Sequence, residues 1–134
     1  MSSRILIVDD DRAIAQLTSI WLKAAGFVVR LAYDGFEALR MAREWRPDLV
    51  LLDVRMPGLD GFEVLAEMKA EPELASIPVI YLSANVQESA RKDALAAGAA
   101  AFLAKPYEPD LVLRAVKRVV NGQSQPRAEE LHHE

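Results

Sequence analysis

Cysteine is absent from the 134 residues of this chain. Its absence excludes disulfide bonds, thiolate nucleophiles and cysteine-ligated metal sites, and it fits a reducing compartment. Long apolar runs are also missing, since the longest nearly unbroken one, residues 94–104, falls well short of the roughly 20 residues of a membrane-spanning helix. The first residues lead directly into a short aliphatic run without a signal-peptide pattern. We therefore expect a cytoplasmic protein with no membrane partner.

The chain also has fewer basic than acidic residues. The chain has 16 Lys and Arg against 20 Asp and Glu, a formal net charge of −4. This mild acidic excess gives no electrostatic reason to bind nucleic acid, so we expect no direct nucleic-acid binding by this chain. The hydrophobic share of 51% and the charged share of 27% are ordinary for one globular domain.

Short β-rich runs alternate with helical segments along the chain. Aliphatic runs predict five strands, at residues 5–8, 27–32, 49–52, 79–82 and 101–104. Five helical segments follow the strands one by one, which implies a parallel sheet with helices on both faces. Right-handed crossovers then make the sheet doubly wound. We predict a doubly wound α/β fold built from five successive βα units.

Apolar spacing and capping residues predict the helices. In the first helix, an apolar face is predicted by the helical spacing of Ile14, Leu17, Ile20, Trp21 and Ala24. The tetrapeptide Asp-Gly-Phe-Glu occurs at residues 34–37 and again at 60–63, and each copy predicts a capping box that opens a helix. The flanking sequences differ, so convergent capping explains the two copies better than an internal repeat.

Polar residues stand where the predicted strands end. Asp9 and Asp10 follow the first strand, Asp53 the third, Ser83 the fourth and Lys105 the fifth. Ligands of an open α/β sheet bind beyond the carboxyl ends of its strands, so these side chains would meet on one rim. Clustered carboxylates repel unless a cation lies among them, and Mg²⁺ suits such a place. A carboxylate can also serve as the nucleophile in phosphoryl transfer.

Four segments of the chain resemble the receiver domain of bacterial response regulators, over roughly residues 4–120. They are the acidic pair (5–11), the phosphoacceptor segment (51–61), the hydroxyl-bearing strand (78–84) and the lysine–proline segment (98–107). Each alone is a weak signal, whereas four in order at the family's spacing are highly specific. The resemblance implies an α/β, flavodoxin-like (βα)5 fold with a five-stranded parallel sheet of order 2-1-3-4-5. It also implies a receiver domain at residues 1–121 and a polar tail, or the start of a linker, at 122–134.

The resemblance implies a role for each rim residue. Asp53 would be the nucleophile, while Ser83 and Lys105 would contact the phosphoryl oxygens. Family members often have a cis peptide after this lysine, which makes the Lys105–Pro106 bond a candidate.

Receiver domains bind Mg²⁺, and the resemblance implies which residues of this chain would bind it. Asp10 and Asp53 would bind it through their carboxylates, with Asp9 acting mainly through a bound water. The Arg55 carbonyl would complete the protein ligands.

A switch is implied as well. The Ser83 hydroxyl would move toward the phosphoryl group and the aromatic Phe102 would rotate inward, changing the surface of helix four, strand five and helix five. Phe102 lacks a phenolic hydroxyl, so its contribution would come from packing alone. Arg55 and Asn85 occupy the positions that tune the lifetime of the phosphorylated state.

The expected function is a signalling module, not an enzyme, that catalyses its own phosphorylation. Its partners would be a sensor histidine kinase or phosphotransfer protein and a downstream protein, with a homodimer through helix four, strand five and helix five as a further option. Two alternatives stay open: a degenerate receiver that binds a partner constitutively, and a flavin carrier on the same fold. The flavin carrier would need a hydroxyl- or glycine-rich phosphate loop after the first strand, where this chain has three aspartates, residues 9–11, followed by Arg12.

Overall fold

The computed structural model describes residues 2–84 and 87–122. Strands and helices alternate in the predicted order: β1 (Arg4–Val8), α1 (Arg12–Ala24), β2 (Val28–Ala32), α2 (Gly35–Trp45), β3 (Leu49–Asp53), α3 (Gly61–Ala70), β4 (Val79–Ser83), α4 (Glu88–Ala96), β5 (Ala101–Ala104) and α5 (Pro109–Val120). None of the helices in this part of the chain has the length and apolar character needed to cross a membrane. Asn85 and residues 123–134 of the predicted tail lie outside the described residues.

All strand pairs are parallel, in the order β2-β1-β3-β4-β5. The predicted fold class and strand order are therefore confirmed. Alternate residues of β1 enter two separate cores: Leu6 and Val8 pack on the side of α2, α3 and α4, whereas Ile5 and Ile7 pack on the side of α1 and α5. Both faces of the central strands are covered, which accounts for their continuous aliphatic runs.

Aspartates begin three of the helices. Asp11, Asp34 and Asp60 each accept a hydrogen bond from the backbone N–H three residues on. At Asp60 the capping box is complete, because the Glu63 carboxylate also accepts from the Asp60 N–H at 3.1 Å. At Asp34 the aspartate half of the predicted box is formed, at 2.8 Å.

The apolar face predicted for α1 coincides only in part with the face that meets the sheet, since Trp21 packs against the core but other predicted members face solvent. Leu17 and Ile20 are 48% and 62% exposed, while Thr18 is buried with Ala15, Ser19 and Leu22. The Thr18 hydroxyl is hydrogen-bonded to the Ile14 carbonyl at 2.9 Å, so its burial leaves no unsatisfied polar group. Apolar spacing alone did not find the whole inner face, because the hydroxyl residues Thr18 and Ser19 occupy part of it.

Candidate functional site

The carboxyl ends of β1, β3 and β4 and the residue after β5 form one polar cluster. Asp9 is completely buried, Asp53 and Ser83 are nearly so, and Asp10 is exposed. Lys105 Nζ lies 2.8 Å from Asp9 Oδ2 and 3.4 Å from Asp53 Oδ2. The structure thus brings together the residues that the ends of the predicted strands indicated.

The charge state of Asp53 is set by its neighbours. Burial and the Asp9 carboxylate raise the pKa of Asp53 to about 7, against the opposing influence of Lys105 and a backbone hydrogen bond from Arg55. Burial alone would lower the pKa of Lys105, but the bond to Asp9 and the charge of Asp53 hold it above its ordinary value. Lys105 is therefore a cation beside a carboxyl group whose pKa lies well above that of an ordinary aspartate.

The donor set of this cluster suits a hard divalent cation. Carboxylate oxygens of Asp9, Asp10 and Asp53 lie within 4.8 Å of one another, and Mg²⁺ favours such oxygen ligands together with water. Both Asp9 oxygens are already engaged, one by the Asp11 N–H at 3.0 Å and the other by Lys105. These two contacts hold the Asp9 carboxylate in place, which agrees with an indirect role for Asp9.

The loop that follows Asp53 is fixed by a glycine. The Gly61 N–H donates to the Val54 carbonyl at 2.9 Å, and a Cβ at position 61 would lie 2.5 Å from the Asp53 carbonyl oxygen. The buried Tyr81 hydroxyl donates to the Gly61 carbonyl at 3.3 Å. Sequence reasoning missed the contribution of Tyr81, because a tyrosine inside an aliphatic strand gives no sign of the carbonyl it will meet.

A cavity of about 210 Å³ opens beside Ser83, and Phe102, Arg55, Phe62 and Asp93 are among its lining residues. Phe102 is already buried, at 7% exposure. An inward rotation of its ring would therefore change packing within this cavity more than it would change exposure. The switch through Ser83 and Phe102 stays a prediction, and Asn85 lies outside the described residues.

The segment after β5 is anchored to α1. The Lys105–Pro106 peptide bond is cis, as the family resemblance implied. The Tyr107 hydroxyl lies 2.8 Å from the Thr18 hydroxyl, and its ring meets Trp21 edge-on at 6.3 Å between centroids. These contacts attach the segment that carries Lys105 to α1. The sequence around Thr18 and Tyr107 did not predict this arrangement.

Comparison with known proteins gives one consistent family. The family model of the response regulator receiver domain matches residues 5–117. Response regulator MprA of Mycobacterium ulcerans is 40% identical over 90% of this chain and 51% of its own length. DNA-binding response regulator MtrA of Mycobacterium tuberculosis is 36% identical over 94% of this chain and 54% of its own. The chain thus spans about half the length of the curated relatives it matches.

Solved structures agree with these matches. Chemotaxis protein CheY4 of Vibrio cholerae superposes with a TM-score of 0.84 at 33% identity, over 89% of this chain and 99% of that one. The receiver domain of sensor histidine kinase PA1611 from Pseudomonas aeruginosa has a TM-score of 0.83 at 32% identity, over 91% of this chain and all of that one. That structure was determined with a magnesium ion coordinated in its active site cleft.

The expectation that this chain has no part in nucleic-acid binding is wrong. Several relatives are named DNA-binding response regulators, and this chain corresponds to only about half of each. The expectation rested on a net charge of −4 over 134 residues. Contacts to phosphates depend on local clusters of Lys and Arg on whichever part of a protein faces the nucleic acid, so the net charge of one part does not exclude them.

Proposed function

The chain belongs to the response regulator receiver domain family, and we propose from this premise that it accepts a phosphoryl group on Asp53. The donor would be the phosphohistidine of a sensor histidine kinase or phosphotransfer protein. The observation that carries the proposal is Lys105, held within 2.8 Å of Asp9 and 3.4 Å of Asp53. A cation fixed at this distance is positioned to meet the negative charge that a phosphoryl group brings to Asp53.

The transfer is a displacement at phosphorus. A carboxylate oxygen of Asp53 forms the new P–O bond while the P–N bond of the donor breaks, and its electron pair leaves with the imidazole. Lys105 and the Ser83 hydroxyl would contact the equatorial phosphoryl oxygens and orient the group so that the Asp53 oxygen and the donor nitrogen lie in line across phosphorus. Only ionised Asp53 can attack phosphorus, and its pKa is raised to about 7. Positive charge near Asp53 lowers this pKa and so increases the fraction of the protein that can react.

Mg²⁺ fits this site, with Asp10, Asp53 and the Arg55 carbonyl as its protein ligands and Asp9 acting through water. When bound, it would neutralise carboxylate and phosphoryl charge together. Asp9 would meanwhile keep Lys105 oriented, since the two already share a 2.8 Å contact.

In this proposal the chain is a self-phosphorylating signalling domain of the cytoplasm that does not act as an enzyme on a separate substrate. Residues 1–121 would form the receiver and residues 122–134 a tail or linker start. Phosphorylation would alter the surface of α4, β5 and α5 through Ser83 and Phe102. A degenerate receiver is disfavoured because the acidic residues, the hydroxyl and the lysine all lie at one rim.

Incubation with acetyl phosphate tests the proposal. We expect intact-protein mass spectrometry to show a gain of one phosphoryl group in the presence of Mg²⁺ and no gain in EDTA, since the clustered carboxylates need a cation before an anionic donor can approach. Neutral hydroxylamine should remove the added mass, because an acyl phosphate is labile to it whereas a phosphoserine is not. An unmodified mass in saturating Mg²⁺ would favour the constitutive binding module.

Arg55 provides a second prediction. Its exposed side chain lines the cavity beside Ser83, where it can pair with or shield a phosphoryl group on Asp53. In Arg55→Ala we expect the rate of phosphate loss to change about three- to tenfold, the effect of one partly exposed charge–phosphate contact. Decay of the phosphorylated mass after removal of donor measures it, with Arg91→Ala on α4 as the control. Unchanged phosphorylation and dephosphorylation rates would rule out this role.

A further inference from the structure

We infer that Gly35, at the start of α2, is a positioning residue that sets the place of the loop between β3 and α3 (residues 54–60) and thereby the affinity for Mg²⁺. The inference rests on the proposed function. No rim residue belongs to α2, and the glycine was noted in the sequence only as part of a repeated capping tetrapeptide. In the structure, the glycine of each copy packs beside this loop, Gly35 against Leu59 and Gly61 against Asp53 and Val54.

The contact is between backbones. Gly35 is buried, and a Cβ built on it would lie 2.5 Å from the Leu59 carbonyl oxygen and 2.9 Å from Leu59 Cβ. The Val64 side chain would lie at 2.8 Å. Close-packed protein interiors do not accommodate such approaches, so any side chain at position 35 must displace the loop or the helix.

Helix α2 is harder to displace than the loop. Its first turn is held by the bond from the Glu37 N–H to Asp34 at 2.8 Å, and Leu39 and Ala42 pack in the core one turn further on. The loop between β3 and α3 contains neither helix nor strand. Displacement by a new side chain therefore falls mainly on the loop.

The far end of the same loop is held in the same way. In the second copy of the tetrapeptide, Gly61 packs against the Asp53 carbonyl oxygen, with 2.5 Å to a built Cβ. Gly61 thus holds the two ends of the loop that carries Arg55 close together, and Gly35 packs against the loop at Leu59. Because Gly61 is packed tightly against Asp53, a displacement of Leu59 also moves the rest of the loop, including Arg55, relative to Asp53.

Mg²⁺ is the ligand most sensitive to such a shift. It demands near-octahedral geometry with oxygens at about 2.0–2.1 Å, and the proposed ligands include the Asp53 carboxylate and the Arg55 carbonyl. Displacements well below 1 Å at such a site weaken binding without unfolding the protein.

The test is a calorimetric titration of folded protein with Mg²⁺ alone. For Gly35→Ala we expect the dissociation constant to rise on the order of tenfold, with the rate of labelling by acetyl phosphate at saturating Mg²⁺ much less affected. Gly26→Ala is the matched control: Gly26 has φ +100 and no atom within 4 Å of a built Cβ. That variant should lose stability through backbone strain yet bind Mg²⁺ like the wild type.

A gentler variant covers the case in which Gly35→Ala does not fold. Phe36 is 69% exposed, and its ring lies 3.9 Å from the Cβ position of Gly58 in the same loop. Phe36→Ala should weaken Mg²⁺ binding in the same direction, by about two- to threefold. Wild-type affinity in both Phe36→Ala and any folded Gly35→Ala overturns the inference. A wild-type protein that binds Mg²⁺ but takes no phosphoryl group contradicts the proposed function and leaves the Gly35 test intact.

Discussion

Replacing Asp53 with asparagine is expected to abolish phosphorylation by acetyl phosphate and to stabilise the metal-free protein at pH 8. The first effect follows because the amide cannot attack phosphorus. The second follows because burial and the Asp9 charge raise the pKa of Asp53 to about 7 from an ordinary value of 3.8. Between these pH values the folded protein holds a proton that the unfolded chain has released, so stability falls as the pH rises through this window.

The cost of this ionised carboxylate is fully present above pH 7 and is absent in the variant. Part of the gain is offset because Lys105 loses one of its two carboxylate partners, so we expect about 1–2 kcal/mol at pH 8, shrinking as the pH falls below 7 and vanishing near pH 4. Urea unfolding in EDTA at several pH values measures it, with Glu67→Gln on the exposed side of α3 as the control. A variant less stable than the wild type at pH 8 would contradict the electrostatic account.

Replacing Lys105 with alanine is expected to lower the phosphorylation rate by on the order of 10²- to 10³-fold at saturating Mg²⁺, the usual cost of removing one fixed donor from a transition state. Lys105 also opposes the rise in the pKa of Asp53. Its loss should therefore move the pH at which labelling reaches half its maximum upward, since a larger share of Asp53 stays protonated at pH 7.

Labelling rates at pH 7 and pH 8.5 separate these two effects. Lys105→Arg keeps the charge and should recover the pH profile better than the rate, because the planar guanidinium cannot reproduce the contact of a compact ammonium. Lys117→Ala, on the exposed face of α5, serves as the control and should behave like the wild type. A Lys105→Ala protein labelled at the wild-type rate would remove Lys105 from the proposed mechanism.

Much of the site could be predicted because it lies where strands end. A buried parallel strand shows itself as an aliphatic run, and the residue that closes the run is brought to the rim by the topology alone. Asp9, Asp53, Ser83 and Lys105 were all found in this way. No knowledge of helix packing was needed for any of them.

Features that depend on packing between elements were not accessible from the sequence. The inward face of α1 was assigned correctly only in part, because Thr18 and Ser19 are polar by type but are buried in this setting. The contact of Gly35 with Leu59 joins residues 24 positions apart and has no periodic signature. The expectation about nucleic acid failed for another reason: an average charge over the chain says nothing about where charges cluster.

The edge-on contact between Trp21 and Tyr107 gives the protein an intrinsic optical signal. Tyr107 lies two residues beyond Lys105, so any rearrangement of that segment changes the surroundings of the Trp21 indole. The chain has one other tryptophan, Trp45, which is buried beneath the guanidinium groups of Arg4 and Arg30, away from the rim. Its emission forms a constant background against which the fluorescence of Trp21 can follow events at the lysine in real time and without a label.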